Sequence, residues 1–156
     1  MELTIQIRHG LTAPSLIRAQ TAAKKLLSDA GRLDAEVSVV LTDDSEIREL
    51  NRLWRRLDKA TDVLSWPQSG AEEAPSPVGS GRTSDTLPDI LGDVVISLDT
   101  AARQAAVRDW DISDETALLL VHGILHLLGH EDETEEGASA MKVIEEDLLG
   151  KPLEKV

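Results

Sequence analysis

The chain contains no cysteine, phenylalanine or tyrosine, and its only aromatic residues besides histidine are three tryptophans. Without cysteine there can be no disulfide bond and no thiolate ligand, so any bound metal must be held by histidine and carboxylate groups. No run of 18 apolar residues occurs, and the N-terminus shows no basic region followed by an apolar stretch. We therefore expect a soluble cytoplasmic protein with no membrane partner.

Basic residues are also scarce, since 16 lysines and arginines stand against 29 acidic residues, for a formal net charge of −13 over 156 residues. This charge argues against indiscriminate binding to nucleic acids or acidic membranes. Residues 48–59 are the exception, because five basic and two acidic residues give this segment a local net charge of +3. A polyanionic ligand is expected to bind there. The basic residues are Arg48, Arg52, Arg55, Arg56 and Lys59.

Three of the four histidines lie within nine residues of an apolar helical segment. His122 and His126 are four residues apart and would lie one turn apart on one helix face, where both can bind the same ion. On a straight helix His130 would lie about 12 Å further along the axis than His122, so the helix must end before a third ligand can reach the ion. Gly129 stands where a left-handed C-terminal cap would reverse the chain. Beyond that turn either Asp132 or His130 can complete a zinc site, and the spacing favours Asp132.

Hydrophobic periodicity predicts helices and strands in the order β-α-β-α-β-β-α-α-α. Strands are predicted at 2–8, 35–42, 61–67 and 90–97, and helices at 14–31, 44–54, 98–107, 113–128 with Ser113 as N-cap, and 134–149. The expected fold class is α+β, a single domain over residues 1–156 in which about five helices pack on a four-stranded mixed sheet. The histidine-bearing helix is expected at its centre. Segment 68–88 is rich in proline, glycine, serine and acidic residues, which predicts a flexible insertion.

Three motifs follow one another along the chain: LNRLWRRLDKATDVLSWP at residues 50–67, LGDVVIS at 91–97 and HGILHLLG at 122–129. Together they resemble the YbeY family of bacterial endoribonucleases, also called rRNA maturation factors. The resemblance implies a zinc ion held by three histidines at positions one, five and eleven of the last motif, beside an arginine that matches Arg55. Position eleven of this chain is Asp132, and a carboxylate there leaves less positive charge on the ion than a third imidazole does.

The resemblance implies a zinc-dependent, single-strand-specific endoribonuclease with one Zn²⁺ per chain. Its setting would be ribosomal RNA maturation, at the 3′ end of 16S rRNA, and ribosome quality control. The implied partners are single-stranded or ribosomal RNA, the small ribosomal subunit and its assembly factors. Zinc on His122, His126 and Asp132 would keep a position open for water, and Arg55 would stabilise the phosphate in the transition state. The residues expected to bind flanking phosphates are Arg48, Arg52, Arg56 and Lys59.

Two other functions use the same residues. A ribosome assembly factor would carry a structural zinc and little nuclease activity, and the altered third ligand keeps this alternative open. A metalloprotease shares the spacing from His122 to Asp132, but such enzymes use a glutamate directly after the first histidine as general base. Gly123 occupies that position here and cannot carry a proton. Zinc-dependent cleavage of single-stranded RNA, set against cleavage of casein, distinguishes the three functions.

Overall fold

The computed structural model describes residues 1–68 and 89–153. These residues form an α+β fold with four strands and five helices, in the predicted order. Apart from Gln68, the predicted flexible insertion at about 68–88 lies outside the described residues. The elements are β1 (Glu2–Ile7), α1 (Ile17–Asp29), β2 (Ala35–Thr42), α2 (Asp44–Arg55), β3 (Val63–Pro67), β4 (Asp89–Ser97), α3 (Leu98–Arg108), α4 (Ile112–Leu127) and α5 (Glu135–Leu149).

The four strands form one mixed sheet in the order β1-β2-β4-β3. β1, β2 and β4 run parallel to one another, whereas β3 pairs antiparallel with β4. The pairing of β3 with β4 continues beyond the strand, because the Gln68 N–H donates to the Leu91 carbonyl at 2.9 Å. β3 has no neighbour on its other side within the described residues, so one of its edges is available to line a site.

Helix α4 is the centre of the fold, as predicted, and packs against α1, α3, α5 and two strands of the sheet. Twelve of its sixteen residues are buried. Val94 and Ile96 of β4 belong to the main core on the α4 side, whereas Val95 packs with Ile47 of α2 and Leu64 of β3 on the other face. Although α4 is apolar, neither it nor any other helix of the described ranges is long and apolar enough to cross a membrane.

Several predicted boundaries were wrong by one to three residues, and local contacts accompany three of these differences. Helix α1 begins at Ile17 rather than at residue 14, because residues 11–16 are not helical and place Leu11, Ala13 and Leu16 against the main core. β3 begins at Val63 rather than at residue 61. The Asp62 carboxylate accepts the Val63 N–H at 2.8 Å at the start of the strand. The N-cap of α4 is Asp111 and not Ser113, since the Asp111 carboxylate accepts the Ser113 N–H at 2.9 Å.

Candidate metal centre and its cleft

The C-terminal half of α4 carries two histidines whose rings face a common point. His122 and His126 lie one helical turn apart, with ring centroids 4.7 Å apart and ring planes inclined by 79°. Their Nε2 atoms are 3.1 Å apart. Both side chains are partly exposed at the end of an otherwise buried helix. The four-residue spacing therefore presents two imidazole nitrogens to one place, as the sequence predicted.

Helix α4 ends in a Schellman motif built on Gly129, which has a φ of +100°. The Gly129 N–H donates to the His126 carbonyl and the His130 N–H donates to the Leu125 carbonyl, each at 3.0 Å. Glycine is favoured at this position because a positive φ is strained for residues with a Cβ atom. The motif turns the chain away from the helix axis and back towards the two histidines, as predicted from the position of Gly129.

Asp132 brings a carboxylate to the histidine pair. Its Oδ2 lies 3.5 Å from the His122 Nε2 and 3.7 Å from the His126 Nε2. One ligand atom from each of the three residues lies within 4.8 Å of the other two. A tetrahedral ion with bonds of about 2.1 Å separates its ligand atoms by roughly 3.4 Å. The three atoms are therefore spaced as an ion of the size of zinc requires.

His130, the alternative third ligand, contributes its backbone to the centre. Its carbonyl oxygen lies 3.1 Å from the His126 Nδ1. Its side chain lines a separate groove beside Leu26 of α1 and Ile144 of α5. Because a carbonyl oxygen can only accept a hydrogen bond, it fixes the ring proton of His126 on Nδ1. The group of side chains that can share one ion includes Asp132 and not His130.

The other histidine, His122, forms a hydrogen bond with a buried carboxylate of α5. The Glu145 Oε2 lies 2.6 Å from the His122 Nδ1, and Glu145 is only 5% exposed. The sequence analysis missed this residue. A signal was available, because Glu145 lies four residues after Met141 and four before Leu149, both of which are buried. A carboxylate on the apolar face of a helix indicates a buried polar partner, since burying an unpaired charge is very costly.

The two Nδ1 contacts determine what the Nε2 atoms can do. With the ring protons directed to Glu145 and to the His130 carbonyl, both Nε2 atoms present lone pairs only 3.1 Å apart. Two lone pairs beside a carboxylate oxygen repel one another unless a cation lies between them. Metal-binding histidines usually donate their other N–H to a carboxylate or a carbonyl, as both do here. Two imidazoles and one carboxylate therefore fit a zinc ion with a fourth position open.

The surroundings of His122 raise its pKa above the ordinary value for histidine. Burial of the ring acts to lower the pKa, but the hydrogen bond that the ring donates to Glu145 and the negative charges of Glu145, Asp132 and Asp62 outweigh that effect. A raised histidine pKa means that the folded environment favours positive charge at the ring. The electrostatics of the centre therefore suit a cation.

The centre opens into a cleft of about 620 Å³ between α4 and the edge of the sheet. Every residue of β3 lines this cleft, so the available strand edge runs along it. Arg55, the last residue of α2, also lines it, together with Glu131 and Glu133 from the turn after α4. The cleft thus combines a cluster of ligand atoms with one arginine, which is a suitable arrangement for a phosphate ester.

Arg55 is the only predicted RNA-contacting residue among those that line the cleft. Two of the other four predicted residues form ion pairs with carboxylates on the surface of α2 and of the segment that follows it. The Arg48 Nε lies 2.8 Å from an Asp58 carboxylate oxygen, and Arg52 forms an ion pair with Glu49. These pairs neutralise the two acidic residues of segment 48–59, and they leave Arg48 and Arg52 less available to a phosphate.

Arg56 and Lys59 lie beyond the end of α2 and outside the cleft. Arg56 is the C-cap of the helix, in a left-handed conformation with a φ of +60°. Both side chains are exposed, and neither forms an ion pair with any carboxylate in residues 1–68 or 89–153. They are therefore the cations of the basic segment that can still reach a polyanion near Arg55.

Known proteins that are similar to this chain carry the name of one family. A sequence model of the family described as Endoribonuclease YbeY matches residues 11–152. An Endoribonuclease YbeY from Myxococcus xanthus is 44% identical over 148 residues, which cover 95% of this chain and 47% of that protein. One from Anaeromyxobacter dehalogenans is 45% identical over 148 residues, covering 95% and 69%. The chain thus spans about half the length of the first relative and about two thirds of the second.

The solution structure of TM1509 from Thermotoga maritima has the same fold. It matches with a TM-score of 0.59, over 95% of this chain and 89% of that one. The sequence identity is 23%, so this likeness concerns the fold alone. The family model covers most of the chain, and two relatives named for the family exceed 40% identity. The chain belongs to the YbeY endoribonuclease family.

Proposed function

We propose that this chain is a zinc-dependent endoribonuclease that cleaves single-stranded RNA. The observation that carries the proposal is the convergence of His122, His126 and Asp132 in the same cleft as Arg55. Membership of a family whose relatives are named endoribonucleases supports RNA as the substrate. Residues 1–156 would act as one domain in the cytoplasm, in ribosomal RNA maturation, including the 3′ end of 16S rRNA, and in ribosome quality control. The small ribosomal subunit and its assembly factors would be the partners.

Five residues would prepare the metal centre. Zinc bound to these three ligands would leave one coordination position open and would supply Lewis acidity to water and to a phosphate oxygen. His122 and His126 offer their Nε2 lone pairs because Glu145 and the His130 carbonyl hold the ring protons on Nδ1. Asp132 adds a carboxylate oxygen, which supplies one negative charge and lessens the net charge of the centre.

Arg55 would bind the phosphate within the cleft. Its planar guanidinium can donate two parallel hydrogen bonds to non-bridging phosphate oxygens. Negative charge on these oxygens increases in the transition state, so the same contacts stabilise the transition state more than the bound substrate. The exposed side chain has no ion-pair partner among the described residues, so no ion pair within residues 1–68 or 89–153 must break before a phosphate binds.

The open cleft favours this proposal over an assembly factor with a structural zinc. Structural zinc sites are usually closed, with four protein ligands around the ion. Among the described residues only three side chains form the group, all three are partly or fully exposed, and the group faces a cleft of about 620 Å³. A substrate therefore has access to the centre.

The first test measures zinc per chain by elemental analysis of the untagged wild type and of the Asp132→Ala and His130→Ala variants. We expect about one zinc in the wild type, a loss of zinc in Asp132→Ala and near-complete retention in His130→Ala, because only Asp132 reaches the two Nε2 atoms. The reverse pattern would transfer the third ligand to His130. A folded wild type without zinc would contradict the enzymatic proposal and favour the assembly-factor function.

The second test measures cleavage of a labelled single-stranded oligoribonucleotide by zinc-loaded protein. Arg55→Ala should slow cleavage at least about tenfold, roughly 1.4 kcal/mol of barrier, while RNA binding changes much less. Arg52→Ala is the matched control, because Arg52 lies on the same helix but is paired with Glu49 and does not line the cleft. Cleavage by Arg55→Ala within about twofold of the wild type would exclude a catalytic role for Arg55.

A further inference from the structure

Two of the three tryptophans in a chain without phenylalanine or tyrosine lie at the same cleft. Trp54 and Trp66 both line the cavity that contains the metal centre. Their rings meet edge to face, with centroids 6.3 Å apart and an interplanar angle of 75°. Trp54 is 66% exposed, whereas Trp66 packs partly against the small core on the α2 face of the sheet. Trp66 therefore supports Trp54 from within, and much of the Trp54 ring faces solvent.

The third tryptophan shows what a purely structural role looks like in this protein. Trp110 is partly buried against the main core. The Arg108 guanidinium lies 5.1 Å and the Lys151 ammonium 5.0 Å from its ring centroid. Folding thus gives Trp110 both apolar burial and two cation–π contacts. Trp54 gains little burial from the fold, so its position at the cleft needs another reason.

Trp54 lies between the cleft and a second groove on the surface. It is the residue before Arg55, and both lie in the last turn of α2. Trp54 and Trp66 also line a second groove of about 500 Å³, which extends over the α2 face of the sheet past Val95. An RNA strand whose phosphate is bound by Arg55 in the cleft would pass this pair of rings on its way to the groove.

We propose that Trp54 stacks against a nucleobase of single-stranded RNA next to the phosphate that Arg55 binds, with Trp66 holding the Trp54 ring in place. This inference rests on the proposed nuclease function and specifies how the site selects its substrate. Aromatic stacking accepts any base, and it requires a base that is not already stacked within a duplex. The Trp54 ring would thereby favour single strands without reading their sequence.

The test scans a short labelled 2′-O-methyl oligonucleotide with single abasic linkers, after a gel has shown that zinc-loaded wild-type protein leaves it uncut. Fluorescence anisotropy gives the dissociation constant for each position. With wild type, we expect one or two adjacent abasic positions to weaken binding about tenfold, the usual effect of losing one stacked base. Trp54→Ala should bind the intact strand about tenfold more weakly and lose this positional effect, while Trp54→Phe should retain most of it.

Leu53→Ala is the matched control, since Leu53 is 58% exposed on the same helix but does not line the cleft. It should behave as wild type, and thermal melting of each variant verifies its fold. Two results would overturn the stacking proposal alone: RNA binding and cleavage without any position sensitive to base removal, or full positional sensitivity in Trp54→Ala. Failure of the wild type to bind or cleave any single-stranded RNA would overturn both the stacking proposal and the nuclease function.

Discussion

Each histidine of the candidate metal centre is held through its Nδ1 atom, which leaves its Nε2 atom facing the centre. His122 donates from Nδ1 to the Glu145 carboxylate at 2.6 Å, whereas His126 donates to the neutral His130 carbonyl at 3.1 Å. A charged acceptor makes an imidazole a stronger ligand than a neutral acceptor does. The two histidines are therefore not equivalent, and Glu145 should influence metal affinity although its carboxylate does not face the ion.

Glu145→Gln tests this influence with minimal change of shape. The amide oxygen can still accept the His122 N–H, but the negative charge is lost, so we expect zinc affinity to fall about 10- to 100-fold. Competition against a chromophoric chelator at fixed pH measures the affinity. Glu136→Gln, an exposed change in the first turn of the same helix, should leave it unaltered. An affinity within twofold of the wild type in Glu145→Gln would show that the carboxylate merely fills space.

Site residues could be grouped from the sequence only where they lie close together along the chain. His122, His126, Gly129 and Asp132 lie within eleven residues, on one helix and its terminal turn, where the geometry follows from the helix itself. Glu145 could not be paired with His122 in the same way, because their contact depends on how α5 packs against α4. The buried position of Glu145 was predictable, but the identity of its partner was not.

At the scale of secondary structure, the helix that carries the site contacts the sheet closely at one glycine. Gly123 follows His122 on α4, and a Cβ atom there would lie 2.7 Å from one methyl group of Val94 and 3.1 Å from the other. The Val63 side chain of β3 would be 3.4 Å away. Val94 is fully buried, and valine has few rotamers to adopt. The absence of a side chain at Gly123 thus brings the histidines close to the edge strand.

Gly123→Ala should destabilise the protein, although alanine is the better helix former. Helix propensity alone would stabilise it by about 1 kcal/mol, whereas overpacking a filled core costs about 1–3 kcal/mol. Chemical denaturation measures the free energy of unfolding. In the double variant Gly123→Ala with Val94→Ala, the two losses of stability should not add, because removing the valine methyl groups makes room for the methyl group of the new alanine. Additive losses would mean that the steric contact with Val94 is not the cause.

The order of the strands in the sheet could not be predicted from local sequence patterns. Segments 35–42 and 90–97 were both predicted to be strands, and both were found. Nothing in their apolar residues determined that β4 would lie between β2 and β3, since strand neighbours depend on contacts between distant segments. That order makes β3 an edge strand, and the position of the cleft follows from it. The edge strand therefore became visible only in the folded chain.

At the scale of the whole molecule, a strongly negative net charge is combined with one short basic segment, residues 48–59. The net charge of −13 repels RNA in general, and Arg48 and Arg52 are already paired with carboxylates. Within segment 48–59, the cations without an ion-pair partner among the described residues are Arg55, Arg56 and Lys59. Binding should therefore depend on a few phosphates close to the metal centre, and the protein should not slide along RNA as highly basic proteins do.

The salt dependence of RNA binding tests how many cations take part. For single strands the logarithm of the binding constant falls with the logarithm of salt concentration by about 0.7 per neutralised phosphate, so three cations predict a slope of about −2 and five predict about −3.5. Anisotropy with an uncut 2′-O-methyl oligonucleotide and zinc-loaded protein measures this slope. Arg56→Gln should reduce its magnitude by about 0.7, whereas Arg48→Gln should leave it unchanged because Arg48 is paired with Asp58. An equal effect of both variants would show that RNA displaces the surface ion pairs and uses the whole basic segment.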